Sequence, residues 1–181
     1  RGEEQTRIET FSDAVFALAV TLLVLSSTVP DTFEQLKASF ADLVPFAICI
    51  TLLMVIWYQH YVFFIRYGFR DVKIVAINTI LLFLVLVYVY PLKFLFKVLS
   101  SLFYNMIVGD RAALKSLFTD ILPAQEAPLL MSVYGLGAAA VFLVLAWMYK
   151  VALNRKEALD LSEIEVFHTK TNFYDNLIMA A

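Results

Sequence analysis

Four long apolar stretches constrain the fold of this chain more than any other feature. They lie near residues 11–29, 43–65, 73–99 and 129–153. About 20 helical residues cross the roughly 30 Å of hydrocarbon in a bilayer, so each stretch is long enough for a transmembrane helix. Hydrophobic residues make up 61% of the chain and its mean hydropathy is +0.78, well above the composition of soluble domains. The sequence therefore predicts an all-α, polytopic helical membrane protein.

Residues 1–181 are predicted to form a single transmembrane domain, and the start of a further span is expected near 173–181, after a polar stretch that follows Asn154. Pro91 is expected to break or bend the third span, because proline lacks a backbone N–H. Two connections carry apolar residues at helical spacing, which predicts interfacial amphipathic helices. Their apolar residues are Phe33, Leu36, Phe40 and Leu43 in the first connection, and Leu114, Leu117, Phe118, Ile121 and Leu122 in the second.

The distribution of basic residues predicts how the chain sits in the membrane. Of the 14 lysines and arginines, nine fall on one side of the four predicted spans and five on the other. The cytoplasmic side holds the excess, which predicts a multi-pass cell-membrane protein with a cytoplasmic N-terminus. The net charge of −2 gives no indication of nucleic acid binding, and Cys49 has no second cysteine with which to form a disulfide.

Charged and polar residues stand at the entrance of the first apolar stretch, where Arg7, Ser12 and Asp13 precede a row of leucines. At about 100° per residue, Asp13 lies about 140° around the helix from Leu18. The carboxylate and the leucines therefore face different directions. An ionisable side chain at a membrane border is costly unless it is paired or hydrogen-bonded, so Asp13 marks a candidate site.

Polar partners for Asp13 occur in the next two spans. Trp57 and His60 stand three residues apart on one face of the second span, and Asn78 lies in the first turns of the third. These three residues lie at the depth of Ser12 and Asp13. We expect the five side chains, supplemented by Arg7, to clamp three helices together through hydrogen bonds.

Two residues of this cluster have alternative interpretations. Asp13 could instead attract cations at a pore mouth. His60 could sense protons, because its charge changes near physiological pH, or it could be a packing residue with a satisfied ring.

The motif Arg7-x-x-x-Phe11-Ser12-Asp13 resembles the R-x-x-x-F-S-D signature of the transmembrane protein 175 family, the lysosomal potassium channels and their bacterial and archaeal relatives. Trp57-x-x-His60 and Asn78 resemble the same family, and a single copy of the motif resembles its prokaryotic, single-repeat type. The resemblance implies a homotetramer whose pore is lined by the first helix of each subunit, with potassium as the permeant ion. The family has six spans, and this chain shows four complete ones.

Carried over residue by residue, the resemblance assigns the apolar pore constriction to Leu18. It assigns a hydroxyl residue one turn further on to Thr21, and further apolar rings to Leu22 and Leu25. A ring of leucines can act as a hydrophobic gate, because an ion that loses its water there finds no replacement ligands. Without the resemblance, the leucine row is more typical of ordinary helix packing than of a pore, and the Thr21 hydroxyl could bond back to its own helix.

The rest of the sequence restricts the function further. No glycine stretch of the TVGYG type occurs, so a carbonyl filter is not expected and ion selectivity should be modest. The motifs of metalloproteases, serine hydrolases and phosphate-binding loops are also missing, so we expect no enzyme, no bound metal and no cofactor. Acidic residues on the outer side could concentrate cations or simply face solvent; they are Asp31, Glu34 and Asp42. The alternative function is a proton-coupled secondary transporter that uses Asp13, His60 and Asn78.

Overall fold

A computed structural model describes residues 6–24, 31–41, 43–109, 113, 116 and 126–181. Apart from turns, these residues are helical, which confirms the predicted all-α class. The helices, numbered in chain order, are α1 (Arg7–Val24), α2 (Phe33–Ala41), α3 (Leu43–Tyr67), α4 (Val72–Val108), α5 (Ala127–Asn154) and α6 (Glu163–Met179).

Among the described residues, three helices are long and apolar enough to cross a membrane, and they lie at the second, third and fourth predicted spans. They cover Phe46–Tyr67 in α3, Val72–Val108 in α4 and Pro128–Asn154 in α5. The described part of α1 has 18 residues, and Arg7, Glu9 and Asp13 are among them. It is therefore shorter and more polar than the predicted span at 11–29, of which residues 25–29 lie outside the described residues.

Helix α4 is longer than predicted, because it continues through Pro91 and ends only at Val108. Pro91 therefore does not break the helix, and the other predicted outcome, a bend, stays a prediction. A proline has no backbone N–H, so the Val87 carbonyl, four residues earlier, loses its helical hydrogen bond. Side chains of a neighbouring helix bond other backbone groups nearby. Here the Tyr134 hydroxyl of α5 donates to the Pro91 carbonyl, and the Tyr88 hydroxyl donates to the Tyr134 carbonyl over 3.1 Å. The helix ends where Gly109 adopts a left-handed φ of 75°.

Helix α6 begins well before the span that was expected to start near residue 173. Its first turn is closed by a capping box, in which Ser162 accepts the Glu165 N–H and the Glu165 carboxylate accepts the Ser162 N–H. The polar stretch after Asn154 therefore contains a turn and a helix start. One side of α6 packs along α5 and buries Thr169 and Asn176.

The apolar core lies between α1, α3, α4 and α5. Helix α1 packs against α3 and α4, while α5 packs against α4 and α3. Helix α2 coincides with the first predicted amphipathic helix and leaves Phe33 and Phe40 exposed. The second predicted amphipathic helix, at 114–122, lies outside the described residues apart from Ser116.

Candidate functional site

Helix α1 presents two different faces along its length. The buried face packs into the core of its own chain and consists of Glu9, Ser12, Val15, Phe16, Ala19 and Leu23. The exposed face consists of Arg7, Thr10, Phe11, Ala14, Ala17, Leu18 and Thr21. Both sets recur every three or four residues, which is the period of an α-helix.

Two hydrogen bonds connect the buried side of α1 to α3 and α4, and a third joins α3 to α4. The Trp57 Nε1–H donates to Asp13 Oδ1 over 2.8 Å, and the Asn78 amide nitrogen donates to Ser12 Oγ over 2.9 Å. The His60 Nε2 atom lies 2.8 Å from Asn78 Oδ1. The structure thus brings together the five residues of the predicted cluster, and we call Ser12, Asp13, Trp57, His60 and Asn78 the polar network.

The amide of Asn78 fixes the direction of the bonds in its part of the network. With its nitrogen assigned to Ser12, its oxygen can only accept, so His60 donates from Nε2. The Ser12 hydroxyl then donates its own proton to the Ile8 carbonyl over 2.7 Å. His60 Nδ1 is left without a partner among the described residues.

The inner part of the network is closed to water. Ser12, His60 and Asn78 are 0%, 1% and 2% exposed. The rings of Phe16 and Phe64 lie 5.7 Å and 4.7 Å from the His60 ring. Hydrogen bonds in such surroundings have no water to replace them, so losing one partner leaves the other unsatisfied.

The structure does not place Arg7 or Phe11 in the polar network of their own chain. Phe11 is 65% exposed, and Arg7 is exposed as well. Arg7 precedes Leu18 by 11 residues, which rotates it only about 20° away from Leu18 around the helix. Both residues therefore share the exposed face with Leu18, opposite to the polar network.

Sequence reasoning missed Glu9, which is buried near the start of α1. Its carboxylate accepts the Thr6 hydroxyl over 2.7 Å and the Thr6 N–H over 3.2 Å, while the Thr6 Oγ1 accepts the Glu9 N–H over 3.3 Å. These are the bonds of a capping box. The signal was present in the sequence, because a threonine followed three residues later by a glutamate is its pattern.

The predicted gate residues occupy different positions on α1. Leu18 is 50% exposed on the side away from the polar network. Thr21 is exposed beside it, and its hydroxyl donates to the Ala17 carbonyl over 2.9 Å. Leu22 is half-buried and packs against the core of its own chain. Leu25 lies outside the described residues.

A family model described as the endosomal/lysosomal potassium channel TMEM175 matches residues 7–89, which hold α1, α3 and the whole polar network. A potassium channel of Marivirga tractuosa is 56% identical over 181 residues, which are 100% of this chain and 72% of that protein. The chain belongs to the TMEM175 family.

Two further comparisons agree with membership of the TMEM175 family. The crystal structure of a variant of the potassium channel MtTMEM175, in complex with a nanobody–MBP fusion protein, superposes with a TM-score of 0.86. The two sequences are 55% identical, over 99% of this chain and 77% of that one. A potassium channel of Streptomyces collinus is 28% identical over 104 residues, which are 54% of this chain and 50% of that protein.

Proposed function

We propose that this chain forms a potassium-permeable channel in which four copies of α1 surround the pore. The observation that carries the proposal is the division of α1 into two faces. One face is bonded to its own chain through the polar network, and the other leaves Leu18 and Thr21 exposed. The related proteins of Marivirga tractuosa and Streptomyces collinus are potassium channels.

Leu18 is the gate in this proposal. Four leucine side chains around one axis form an apolar ring that water leaves readily, and a potassium ion cannot cross it without losing hydration. Between Phe11 and Leu18 the exposed face carries the small side chains of Ala14 and Ala17. Leu18 is therefore the narrowest level after Phe11, and opening requires the four α1 helices to rotate or move apart.

Thr21 supplies the polar group next to the gate. Its hydroxyl proton is used within its own helix, since it donates to the Ala17 carbonyl. The oxygen keeps lone pairs that can point away from the helix, toward the shared axis. Four such oxygens replace only part of a potassium hydration shell, so this channel discriminates between cations modestly.

The polar network sets the direction in which Leu18, the proposed gate residue, points. Its bonds from α3 and α4 fix the rotation of α1, so that Leu18 turns away from the core of the subunit. In this account Asp13 is a positioning residue whose carboxylate accepts the Trp57 N–H. The tetramer lies in the cell membrane. Its N-termini lie in the cytoplasm, as the distribution of basic residues predicts.

The test is the reversal potential of the purified protein in planar bilayers under a potassium gradient. We expect the potential to follow the potassium gradient and to be unaffected by a proton gradient of the same size. A potential that requires the proton gradient would instead support a proton-coupled carrier. Thr21→Val keeps the shape of the side chain and removes its hydroxyl, and it should reduce the preference for potassium over sodium.

A further inference from the structure

Three helices meet at a basic corner that the proposed pore does not use. Arg66 and Tyr67 end α3, Tyr149 comes from α5 and Thr169 comes from α6, and we call these four residues the Arg66 corner. The Tyr67 and Tyr149 rings lie 6.1 Å apart, and the Tyr67 hydroxyl lies 2.8 Å from Thr169 Oγ1. The Arg66 guanidinium lies beside the Tyr67 hydroxyl.

The hydrogen bonds of the corner run in one direction. Thr169 Oγ1 lies 2.6 Å from the Glu165 carbonyl and donates its single proton to it. The Tyr67 hydroxyl must therefore be the donor in its bond with Thr169. The Tyr67 oxygen can then only accept, and the Arg66 guanidinium is the neighbouring donor.

The unpaired polar atoms of the corner are hydrogen-bond donors. Arg66 Nη1 and the Tyr149 hydroxyl are buried and have no hydrogen-bond partner among the described residues. Within that part of the chain Arg66 also forms no ion pair. The acidic side chain near Tyr67 is Glu165, and its carboxylate already accepts from Ser162. An arginine keeps its charge, so the corner holds a cation whose Nη1 donor has no acceptor among the described residues.

Two lysines follow residues of the corner in the sequence. Lys150 follows Tyr149, and its ammonium lies 5.4 Å from the centre of the Phe173 ring of α6. Lys170 follows Thr169 and is exposed. Arg66 lies at the end of the membrane-crossing part of α3, and Lys150 lies in the last turns of α5. Arg66 and Lys150 are therefore close to the depth of lipid headgroups.

We propose that the Arg66 corner binds the phosphate of an anionic phospholipid headgroup, with Arg66 as the main ligand and Lys150 and Lys170 beside it. Arg66 is half-buried and its Nη1 atom is buried, so a turn of the guanidinium would let the unpaired N–H donate to a phosphate oxygen. The planar fork of arginine matches a phosphate with two hydrogen bonds. The position at the membrane border favours a lipid over a soluble phosphate, and three cations favour a headgroup with net negative charge.

The experiment measures lipid binding by the full chain in detergent micelles. Its apparent melting temperature is recorded with added phosphatidylglycerol or phosphatidylcholine, and bound lipids are counted by native mass spectrometry. We expect phosphatidylglycerol to be retained and to raise the melting temperature, and phosphatidylcholine to do neither. Arg66→Gln should weaken phosphatidylglycerol binding by about tenfold, as for loss of a charged hydrogen bond. Arg70→Gln is the matched control, because it removes the same charge from an exposed position nearby.

Each other outcome overturns the proposal. An equal loss in Arg66→Gln and Arg70→Gln would show a diffuse attraction between charges. Equal stabilisation by inorganic phosphate alone would identify a small-anion site in place of a lipid site. If Arg66→Gln does not fold, Arg66→Lys is tested in its place. Lysine keeps the positive charge but lacks the planar guanidinium that can donate two hydrogen bonds to a phosphate. Arg66→Lys should bind phosphatidylglycerol more weakly, and binding equal to that of the unchanged protein contradicts the proposal.

Discussion

The two faces of α1 are stabilised in different ways. On the buried face, Ser12 and Asp13 accept hydrogen bonds from Asn78 and Trp57 of the same chain. On the exposed face, Leu18 is 50% exposed and lies on the side of α1 away from the polar network. The buried face therefore needs nothing beyond one subunit, while the exposed face is available to copies of the chain. From this difference we expect substitutions on the buried face to change stability, and substitutions on the exposed face to change conduction.

Asn78→Ala should have the largest effect, on stability. Asn78 makes two hydrogen bonds, and its loss leaves the His60 Nε2–H without an acceptor and removes the donor to the Ser12 oxygen in a closed layer. Hydrogen bonds inside membrane proteins are worth about 0.6–2 kcal/mol each, so we expect a loss of about 2–3 kcal/mol in unfolding free energy. The control is Thr79→Ala, whose exposed hydroxyl bonds only its own helix. Equal stability of the two variants in a denaturant titration would contradict the role of the buried face.

Asp13→Ala should have the next largest effect, on stability and assembly. It removes the acceptor of the Trp57 N–H, and α1 is then held less firmly in its rotation. We expect a loss of about 1–2 kcal/mol and a lower yield of tetramer on size exclusion. A normal tetramer with altered conductance would instead place the Asp13 carboxylate at the pore mouth. Trp57→Phe should reproduce the effect of Asp13→Ala, because it removes the same bond from the other side.

Leu18→Ala should change conduction without a matching loss of stability. A smaller side chain widens the apolar ring and lowers the cost of bringing water and ions through it. We expect the single-channel conductance or the leak to rise several-fold. Leu52→Ala is a matched control, because Leu52 is a leucine of α3 that is 45% exposed in the same chain. If both variants conduct like the unchanged protein, Leu18 does not form the constriction.

Asp71→Asn should have the smallest effect, because Asp71 lies outside both faces of α1. Its carboxylate accepts two hydrogen bonds from Arg155, at 2.8 Å and 3.0 Å, and these hold the pKa of Asp71 below its ordinary value. Because the pKa is lower in the folded state, ionised Asp71 stabilises the fold at pH values above the ordinary carboxylate pKa. This contribution is lost as the pH falls through the lowered pKa.

Both partners of this pair are about one third exposed, with side-chain values of 36% and 35% for Arg155 and Asp71. Solvent screening therefore limits the pair to about 0.5 kcal/mol. Unfolding of the variant and the unchanged protein should differ by this amount at pH 7 and coincide in acid. A difference that grows in acid would contradict the assigned direction of the pKa shift.

Hydropathy alone was enough to predict where α3, α4 and α5 lie. A helix needs about 20 apolar residues to cross a bilayer, and few other stretches of the sequence are long and apolar enough. The contacts among Ser12, His60 and Asn78 were predictable for a related reason. Polar residues are few in these spans, and the topology placed these three at one depth. Their effect on conduction stays a prediction.

Other features depended on contacts that a local pattern does not show. The continuation of α4 through Pro91 is accompanied by a hydrogen bond from Tyr134 in another helix. The half-burial of Leu22 follows from packing against the core and not from helical spacing. Arg7 and Phe11 were grouped with Asp13 because they share its motif, although the period of the helix places them on the Leu18 face.

The central claim is that the Leu18 face of α1 lines a shared axis, and cysteine accessibility tests it most directly. Cys49 is buried and is replaced by alanine, after which Leu18→Cys or the control Leu52→Cys is introduced. A small water-soluble thiol reagent is then applied during potassium conduction in planar bilayers. Our account predicts that the reagent blocks current through Leu18→Cys and leaves Leu52→Cys unchanged. Conduction through Leu18→Cys that persists after its thiol is shown to be modified would contradict it.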